Sequence, residues 1–269
     1  MKILCCFKIV PDIEIIPENS WQNISSDILD TTYLKKIWNC FDESALEMIL
    51  KLSDMSESFK VISEINALTI GDSFNNSYLK TLYALGYNNA IRINCNKDDF
   101  YFQPKTIANI IGAYIQKIGH EDIIFMGSSS ADTTDKKVPF YLSEILNIPC
   151  INQVTHIEFI NSQTLKVISN IDNVNYVYIV NKPCIISIGN APCTYLRVPT
   201  LKNKLKTKNK PIMEYQVSDL LSEDISYYQD NFEFQHYEAI NKTRYAEEIL
   251  AQDTSKKVDI LIDKIKKRL

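Results

Sequence analysis

The sequence predicts an α/β fold: a doubly wound, mostly parallel sheet with an antiparallel extension and a C-terminal arm that ends in a helix. Three observations carry that expectation. Short apolar runs without alternation recur along the first half, as strands buried on both faces require. Stretches with helical periodicity separate them, and this β-α repetition builds a parallel sheet. In the second half the runs are set apart by turn residues alone, which suits antiparallel pairing.

Ile3–Phe7 is too short for a helix and reads as the first buried strand. A helix opens at Asp42, capped by Asn39 or Asp42, with Ala45, Met48, Ile49 and Leu52 as its apolar stripe. Ile65–Ile70 is a second buried strand that stops at Gly71. Asn75–Leu85 is a helix closed by Gly86, a residue that accepts the left-handed angle of a C-terminal cap. Ala90–Ile93 is a short strand. Pro104 starts a helix with Ile107, Ile110, Ile111, Tyr114, Ile115 and Ile118 on one side. Proline suits that first turn, where amide hydrogens have no partner to lose. Asp122–Met126 is another buried strand, and Lys136–Leu146 is the helix after it.

Val154–Phe159, Leu165–Asn170, Val174–Val180 and Cys184–Ile188 read as the antiparallel extension. Lys202–Lys210, with Lys at every second position, reads as a solvated, flexible charge run. Asp224–Ala239 holds Tyr227, Tyr228, Phe232, Phe234 and Tyr237 without a clear period. So many large apolar groups want a surface to cover, supplied by a partner if not by the chain itself. A last helix begins near Ser255, capped by Asp253 or Thr254, with Val258, Leu261, Ile262, Ile265 and Leu269 on one stripe. The chain is expected to divide into an α/β domain over 1–212, with a recognition loop near 190–212, and an extended arm and helix over 213–269.

At 269 residues the chain can bury a core without staples. Its net charge of −4 argues against a general nucleic-acid binder, which carries a basic face. The seven Cys are odd in number, form no C-x-x-C and sit mostly in apolar runs, which points to a reduced, cytoplasmic chain. His120, His156 and His236 are far apart, so no His-based metal site is expected. The opening apolar run is broken by Lys8 and Pro11 with no cleavage site behind it, so it is not expected to act as a signal peptide. No stretch of about 18 apolar residues occurs, so no membrane insertion is expected.

In parallel sheets ligands sit outside the carboxyl ends of the strands. That rule selects the segments after Phe7, Ile70 and Met126, with Cys6 and Ile70 at the strand ends. The loop Gly127, Ser128, Ser129, Ser130, Ala131, Asp132, Thr133, Thr134, Asp135 follows a strand and precedes a helix. Unpaired N–H groups at that helix start, the loop hydroxyls, Lys136, Lys137 and the turn into Val138 suit a phosphate. Ser, Thr and Asp are equally the ordinary capping residues, and the Asp135 carboxylate competes with an anion. Both readings stay open on residue types alone. Asn39, Cys40, Phe41 and Asp42 precede a helix as well; Asn39 there reads an adenine or ribose edge, or serves only as a turn residue. Ser130 lacks the surroundings of a nucleophile, no carboxylate pair stands out, and no catalytic residue is assigned. With six glycines there is no G-x-G-x-x-G and no Walker A motif.

Several segments recur in a recognisable order. Lys2-Ile-Leu-Cys-Cys-Phe-Lys8-Ile-Val10-Pro11-Asp12 opens the chain, and Asn39-Cys-Phe-Asp-Glu-Ser-Ala-Leu-Glu47 begins a helix. Leu82-Tyr-Ala-Leu-Gly86-Tyr-Asn-Asn-Ala90 ends one, and Gly127 through Pro149 runs without gaps. Arg197-Val-Pro-Thr-Leu201-Lys leads into the lysine run and Pro211-Ile212, and Arg244-Tyr-Ala precedes the last helix. In this order and spacing they resemble the beta subunit of electron-transfer flavoproteins over nearly the whole chain.

The resemblance implies an adenine nucleotide alpha hydrolase-like sheet. It implies an AMP, or in electron-bifurcating members a second FAD, held by Cys6, Asn39–Asp42, Ile70 and Gly127–Val138. It implies a heterodimer with the alpha subunit, an FAD shared at their interface, and an arm that wraps the alpha subunit. Leu201 matches the leucine that docks on an acyl-CoA-type or other flavin dehydrogenase. Such a subunit shuttles electrons between dehydrogenases and an acceptor, and the flavin, not a side chain, carries the electron. The family's loop runs roughly Q-A-x-D-G-D-T-x-Q-V-G. Here Asp132 and Val138 persist, while Thr133 stands for Gly, Thr134 for the following Asp and Pro139 for the late Gly. The hairpin expected near 170–175 reads Asn170-Ile-Asp-Asn-Val-Asn175. Two other readings follow: a degenerate interaction subunit that has lost its nucleotide, and an adenine-nucleotide sensor or hydrolase on the same fold. The latter generally shows a Gly-rich phosphate motif, absent here.

Overall fold

The computed structural model describes residues 1–17, 31, 33–56, 62–95, 103–223, 225–229, 248–250 and 253–266. Strands β1 (Lys2–Cys6), β2 (Ile9–Pro11) and β3 (Lys36–Trp38) lead into helix α1 (Cys40–Ser56). β4 (Glu64–Ile70), α2 (Asn76–Leu85), β5 (Asn89–Asn94), α3 (Pro104–Tyr114), β6 (Ile123–Gly127) and α4 (Val138–Leu146) follow. The chain continues as β7 (Cys150–Phe159), β8 (Thr164–Ile171), β9 (Val174–Asn181), β10 (Cys184–Ile188), α5 (Leu201–Thr207), β11 (Met213–Gln216), α6 (Val217–Leu220) and α7 (Thr254–Lys266).

Nine strands form one sheet in the order β11-β5-β4-β1-β6-β10-β7-β8-β9, and β2 and β3 form a small antiparallel pair. All pairings from β11 to β7 are parallel; β8 and β9 add antiparallel. The chain runs outward from β1 through β4 and β5, then returns to the other side of β1 with β6. The expected doubly wound architecture is therefore present, and its order reverses between β1 and β6.

The sheet is buried on both faces, as its continuous apolar strands require. On one face Ile3, Cys5, Ile65, Phe125 and Ile186 pack with Leu46 and Ile49 of α1 and Leu79 and Leu82 of α2. On the other Leu4, Leu68, Ile124 and Ile185 pack with Ile110 and Ile111 of α3 and Leu142 of α4. Successive strand residues fall in different clusters, so each strand links two cores. Each fully buried aliphatic side chain stabilises the fold by about 1.5–3 kcal/mol.

Several expectations shift. The antiparallel extension comprises β7, β8 and β9, but Cys184–Ile188 is not part of it. β10 inserts between β6 and β7, parallel to both, and all its residues are buried. Its unbroken apolar run was the signal, whereas β8 alternates buried and half-exposed positions. α1 starts at Cys40 rather than Asp42, because the Asn39 carbonyl already accepts the Glu43 N–H at 2.8 Å. α4 starts at Val138 rather than Lys136, because the Asp135 side chain takes the Lys137 N–H at 3.0 Å. Beyond α3 the helix widens into a π turn over Ile115–Gly119, which rotates Ile118 off the apolar side into solvent.

The lysine run is not an irregular segment. α5 is capped by Thr200, whose Oγ1 accepts the Asn203 N–H at 3.2 Å, and it packs on α2. There the Lys210 ammonium lies 4.8 Å from the centre of the Tyr83 ring, and the Tyr83 hydroxyl donates to the Pro211 carbonyl at 2.6 Å. Met213–Gln216 then adds as an edge strand beside β5, so the sheet continues past residue 212. The β8–β9 hairpin turns through Asp172 and Asn173, both left-handed (φ 52° and 64°), as a two-residue turn demands.

The chain divides into two compact units, 1–16 with 30–234 and 17–29 with 235–269. Within the second, α7 carries Val258, Leu261, Ile262 and Ile265 on one exposed stripe, and the Ser255 N–H bonds the Asp253 side chain at 3.2 Å. Leu269, Arg244-Tyr-Ala and most of the aromatic tract, including Phe232, Phe234 and Tyr237, lie outside the described residues. Among the described residues no helix is long and apolar enough to cross a membrane, and no His, Cys, Asp and Glu group could hold a metal ion.

Candidate functional site

At the carboxyl ends of β1, β4 and β6 the sheet opens into a cavity of about 380 Å³, within the range of small-molecule pockets. It lies where the strand order reverses, the position that α/β sheets reserve for ligands. Cys6, Ile70, Ile107, Ile111 and Met126 give it apolar walls. Asn39, Asp42, Ser129, Ser130, Asp132 and Asp135 supply polar atoms, and Lys8 and Lys36 reach it from the β2–β3 side.

Asp42 organises this end of the sheet. Its Oδ1 accepts the Gly127 N–H at 2.7 Å, and its Oδ2 accepts the Lys8 N–H at 2.9 Å and the Asn39 amide at 3.0 Å. One carboxylate thus ties the ends of β1 and β6 to the start of α1, a favourable place for negative charge. Burial pushes its carboxyl up to about 6, against the hydrogen bonds from Asn39, Lys8 and Gly127 that pull it down. Gly127 must lack a side chain here. A Cβ would stand 2.6 Å from Asp42 Oδ1 and 2.8 Å from Phe41 Cβ.

Asn39 pins the loop that follows β6. Its Nδ2 also donates to the Ser129 carbonyl at 2.8 Å, and its Oδ1 accepts the Ala131 N–H at 3.1 Å. Beyond Ala131 the loop closes on itself. The Ser130 and Thr133 hydroxyls lie 2.6 Å apart, and the Thr134 N–H reaches the Ser130 carbonyl at 2.8 Å. Thr134 pays for that closure with φ 50°, an uncommon angle for a β-branched residue. The Asp132 carboxylate, almost fully buried, pairs with Lys8 Nζ at 2.7 Å.

Of the residues singled out in the sequence, Cys6, Asn39, Asp42, Ile70 and Gly127 face the cavity. From the loop and helix start Ser129, Ser130, Asp132, Thr133, Asp135 and Val138 do so too. Cys40, Phe41, Ser128, Ala131, Thr134, Lys136 and Lys137 are not part of its lining. Ser128 is buried behind the loop with its hydroxyl unpartnered. Sequence reasoning missed Lys8, Lys36 and Cys95 and the wall from α3, namely Pro104, Ile107 and Ile111. Lys8 directly follows a selected strand end and could have been found; the α3 wall depends on packing no local pattern shows.

A second feature lies away from the cavity. The segment before α5 is strapped onto α1: Leu196 N–H bonds Glu43 at 3.0 Å and Arg197 N–H bonds Glu47 at 3.0 Å. The Arg197 guanidinium grips the buried Glu47 carboxylate at 2.9 Å and reaches Asp54 at 2.8 Å. Tyr195, Val198, Leu201 and Leu205 nevertheless project into solvent, Leu201 with 72% of its surface exposed. A rigidly held loop with bare apolar side chains is built to meet another surface.

The nine-stranded sheet, the cavity at its switch point and the strapped loop all lie in or beside the segment that a family model matches. That model, the Electron transfer flavoprotein domain, covers residues 28–220 of the 269. Proteins of this family carry electrons. The chain belongs to the electron transfer flavoprotein domain family.

Proposed function

We propose that this chain is the beta-type subunit of an electron transfer flavoprotein, working as a heterodimer with an alpha-type chain whose FAD lies at their interface. When bound, that flavin accepts and passes on the electrons. This chain's residues dock partners and hold an adenine-bearing ligand in the cavity. AMP and a second FAD are the ligands the family resemblance supplies. The observation that carries the reading is the strapped loop, which fixes Leu201 and Val198 in solvent where a dehydrogenase surface can reach them. Further support comes from β9, an edge strand with Val177 and Ile179 exposed. Co-expression with the alpha-type chain tests the reading. A stoichiometric complex with a flavin spectrum is expected; a colourless single chain that binds no alpha-type protein contradicts it.

The residues fit the two parts of a nucleotide unequally. The apolar walls and the volume suit an adenosine moiety. At the start of α4, where a phosphate is expected, the Asp135 carboxylate occupies the Lys137 N–H and brings a competing negative charge. That observation favours a second reading, an interaction subunit of the same fold without a nucleotide. Denaturing the purified complex and assaying the supernatant separates the two: released AMP or FAD favours the first, none the second.

A further inference from the structure

We propose that Arg197 is a positioning residue for partner docking: its guanidinium clamps the segment before α5 onto an acidic face of α1, so that Leu201 meets a dehydrogenase already in place. This rests on the docking reading of Leu201 and deepens it, by assigning the residue that sets the loop.

The clamp uses one side of a helix. In α1, Glu47 and Asp54 follow Glu43 by four and eleven residues, which puts all three carboxylates on one face. The segment from Cys193 to Thr200 has no helix or strand of its own, so contacts alone order it. Cys193 Sγ lies 3.7 Å from the Ser44 carbonyl, and the Leu196 and Arg197 N–H groups bond Glu43 and Glu47, each at 3.0 Å. The Arg197 side chain completes the grip. Nε donates to Glu47 Oε1 and Oε2 at 3.1 and 3.2 Å, Nη2 donates to Oε1 at 2.9 Å, and Nη1 reaches Asp54 Oδ2 at 2.8 Å. A planar fork spans two carboxylates in this way, whereas a lysine ammonium is a single point of charge. The Glu47 half carries most of the weight, because that carboxylate is buried and little screened while Asp54 stands in solvent.

Downstream the chain is fixed a second time, where Thr200 Oγ1 caps α5. Leu201 directly follows that cap, and Val198 directly follows Arg197. Each exposed apolar side chain therefore leaves an anchored backbone, and neither anchor covers it. A loop ordered beforehand gives up less freedom on binding, so its contacts yield more affinity. Arg197 acts in this scheme through the loop and not by touching the dehydrogenase.

The test is a double-mutant cycle on the full chain in complex with its alpha-type partner. An acyl-CoA dehydrogenase reduces the complex, and the complex is the varied substrate. Arg197→Lys, which keeps a cation beside Glu47, is expected to raise KM by about threefold or more and to leave kcat within about twofold. In a Leu201→Ala background R197K should add less than about 1.5-fold, since the two residues act as one unit. Before any dehydrogenase is added, hydrogen exchange at the Leu196 and Arg197 amides should quicken by about tenfold in R197K. Should R197K yield no complex, E47Q/R197Q, which leaves no buried charge alone, takes its place in the same cycle. A KM unmoved by R197K overturns the inference, as does exchange at the wild-type rate. An R197K effect that persists in full beside L201A overturns it too, because Arg197 then meets the dehydrogenase itself. In those three outcomes L201A alone still raises KM and the docking reading stands. If L201A leaves KM unmoved, the docking reading falls and takes the inference with it.

Discussion

Asp42 has no room to be only a helix-capping residue. Three N–H groups from three separate segments converge on it, and it is buried, so ionising it in the fold is costly. Its carboxyl titrates at about 6 in the native state, against a value near 3.8 without burial. Between those values the native protein retains a proton that the unfolded chain has released. The contribution of this group is therefore present below about pH 3.8 and is lost as pH rises through about 6, by roughly 3 kcal/mol in all. Asp42→Asn removes the titration. The difference in unfolding free energy between the two proteins should fall by roughly that amount from pH 3 to pH 7, measured by denaturant titration at each pH. A difference that stays flat across the window would show that Asp42 does not titrate there. In the sequence the residue is readable as a helix-start aspartate. Its link to Gly127, 85 residues away, belongs to tertiary structure and leaves no local mark.

Among the elements, β9 is the one whose side chains least suit its surroundings. It is an edge strand with Val174, Tyr176, Val177, Tyr178 and Ile179 all exposed, an arrangement that invites pairing with another chain. Ile179 stands opposite Lys166 on β8. Ile179→Glu replaces an exposed apolar group with one that can face that lysine, so stability should change by no more than about 0.5–1 kcal/mol. Partner capture should drop steeply. Thermal melting with a pull-down of the alpha-type chain checks both, and undiminished capture would move the interface elsewhere. The elements differ in how well the sequence announces them. β1, β4, β6 and α2 are readable because apolar runs or a Gly86 cap mark them. β10 has the same kind of run, but its place between β6 and β7 is not readable from it, since a strand's partners are set across the sheet. α5 is hard to read because alternating lysines mask its two leucines, and the contacts of Lys210 and Pro211 just beyond it with Tyr83 of α2 are tertiary. The cavity's loop was legible as a strand-to-helix turn, but its closure through Ser130, Thr133 and Thr134 was not.

For the molecule as a whole, the exposed apolar groups of β9, the strapped loop and α7 make a chain adapted to company. Binding that occurs only in the native state raises stability by mass action. The proposed heterodimer with an alpha-type chain should therefore melt above the isolated chain, with a midpoint that climbs as protein concentration is raised; scanning calorimetry over a concentration series checks this. A midpoint indifferent to both would mean the exposed surfaces are not an obligate interface. The position of β10 has a different consequence, in the order of synthesis. β10 completes the middle of the sheet, yet it leaves the ribosome some 57 residues after β6. At ordinary translation rates that interval lasts roughly 3–11 s. Throughout it, β6 lacks its neighbour on that side, and its open backbone groups can pair with the same strand of another copy.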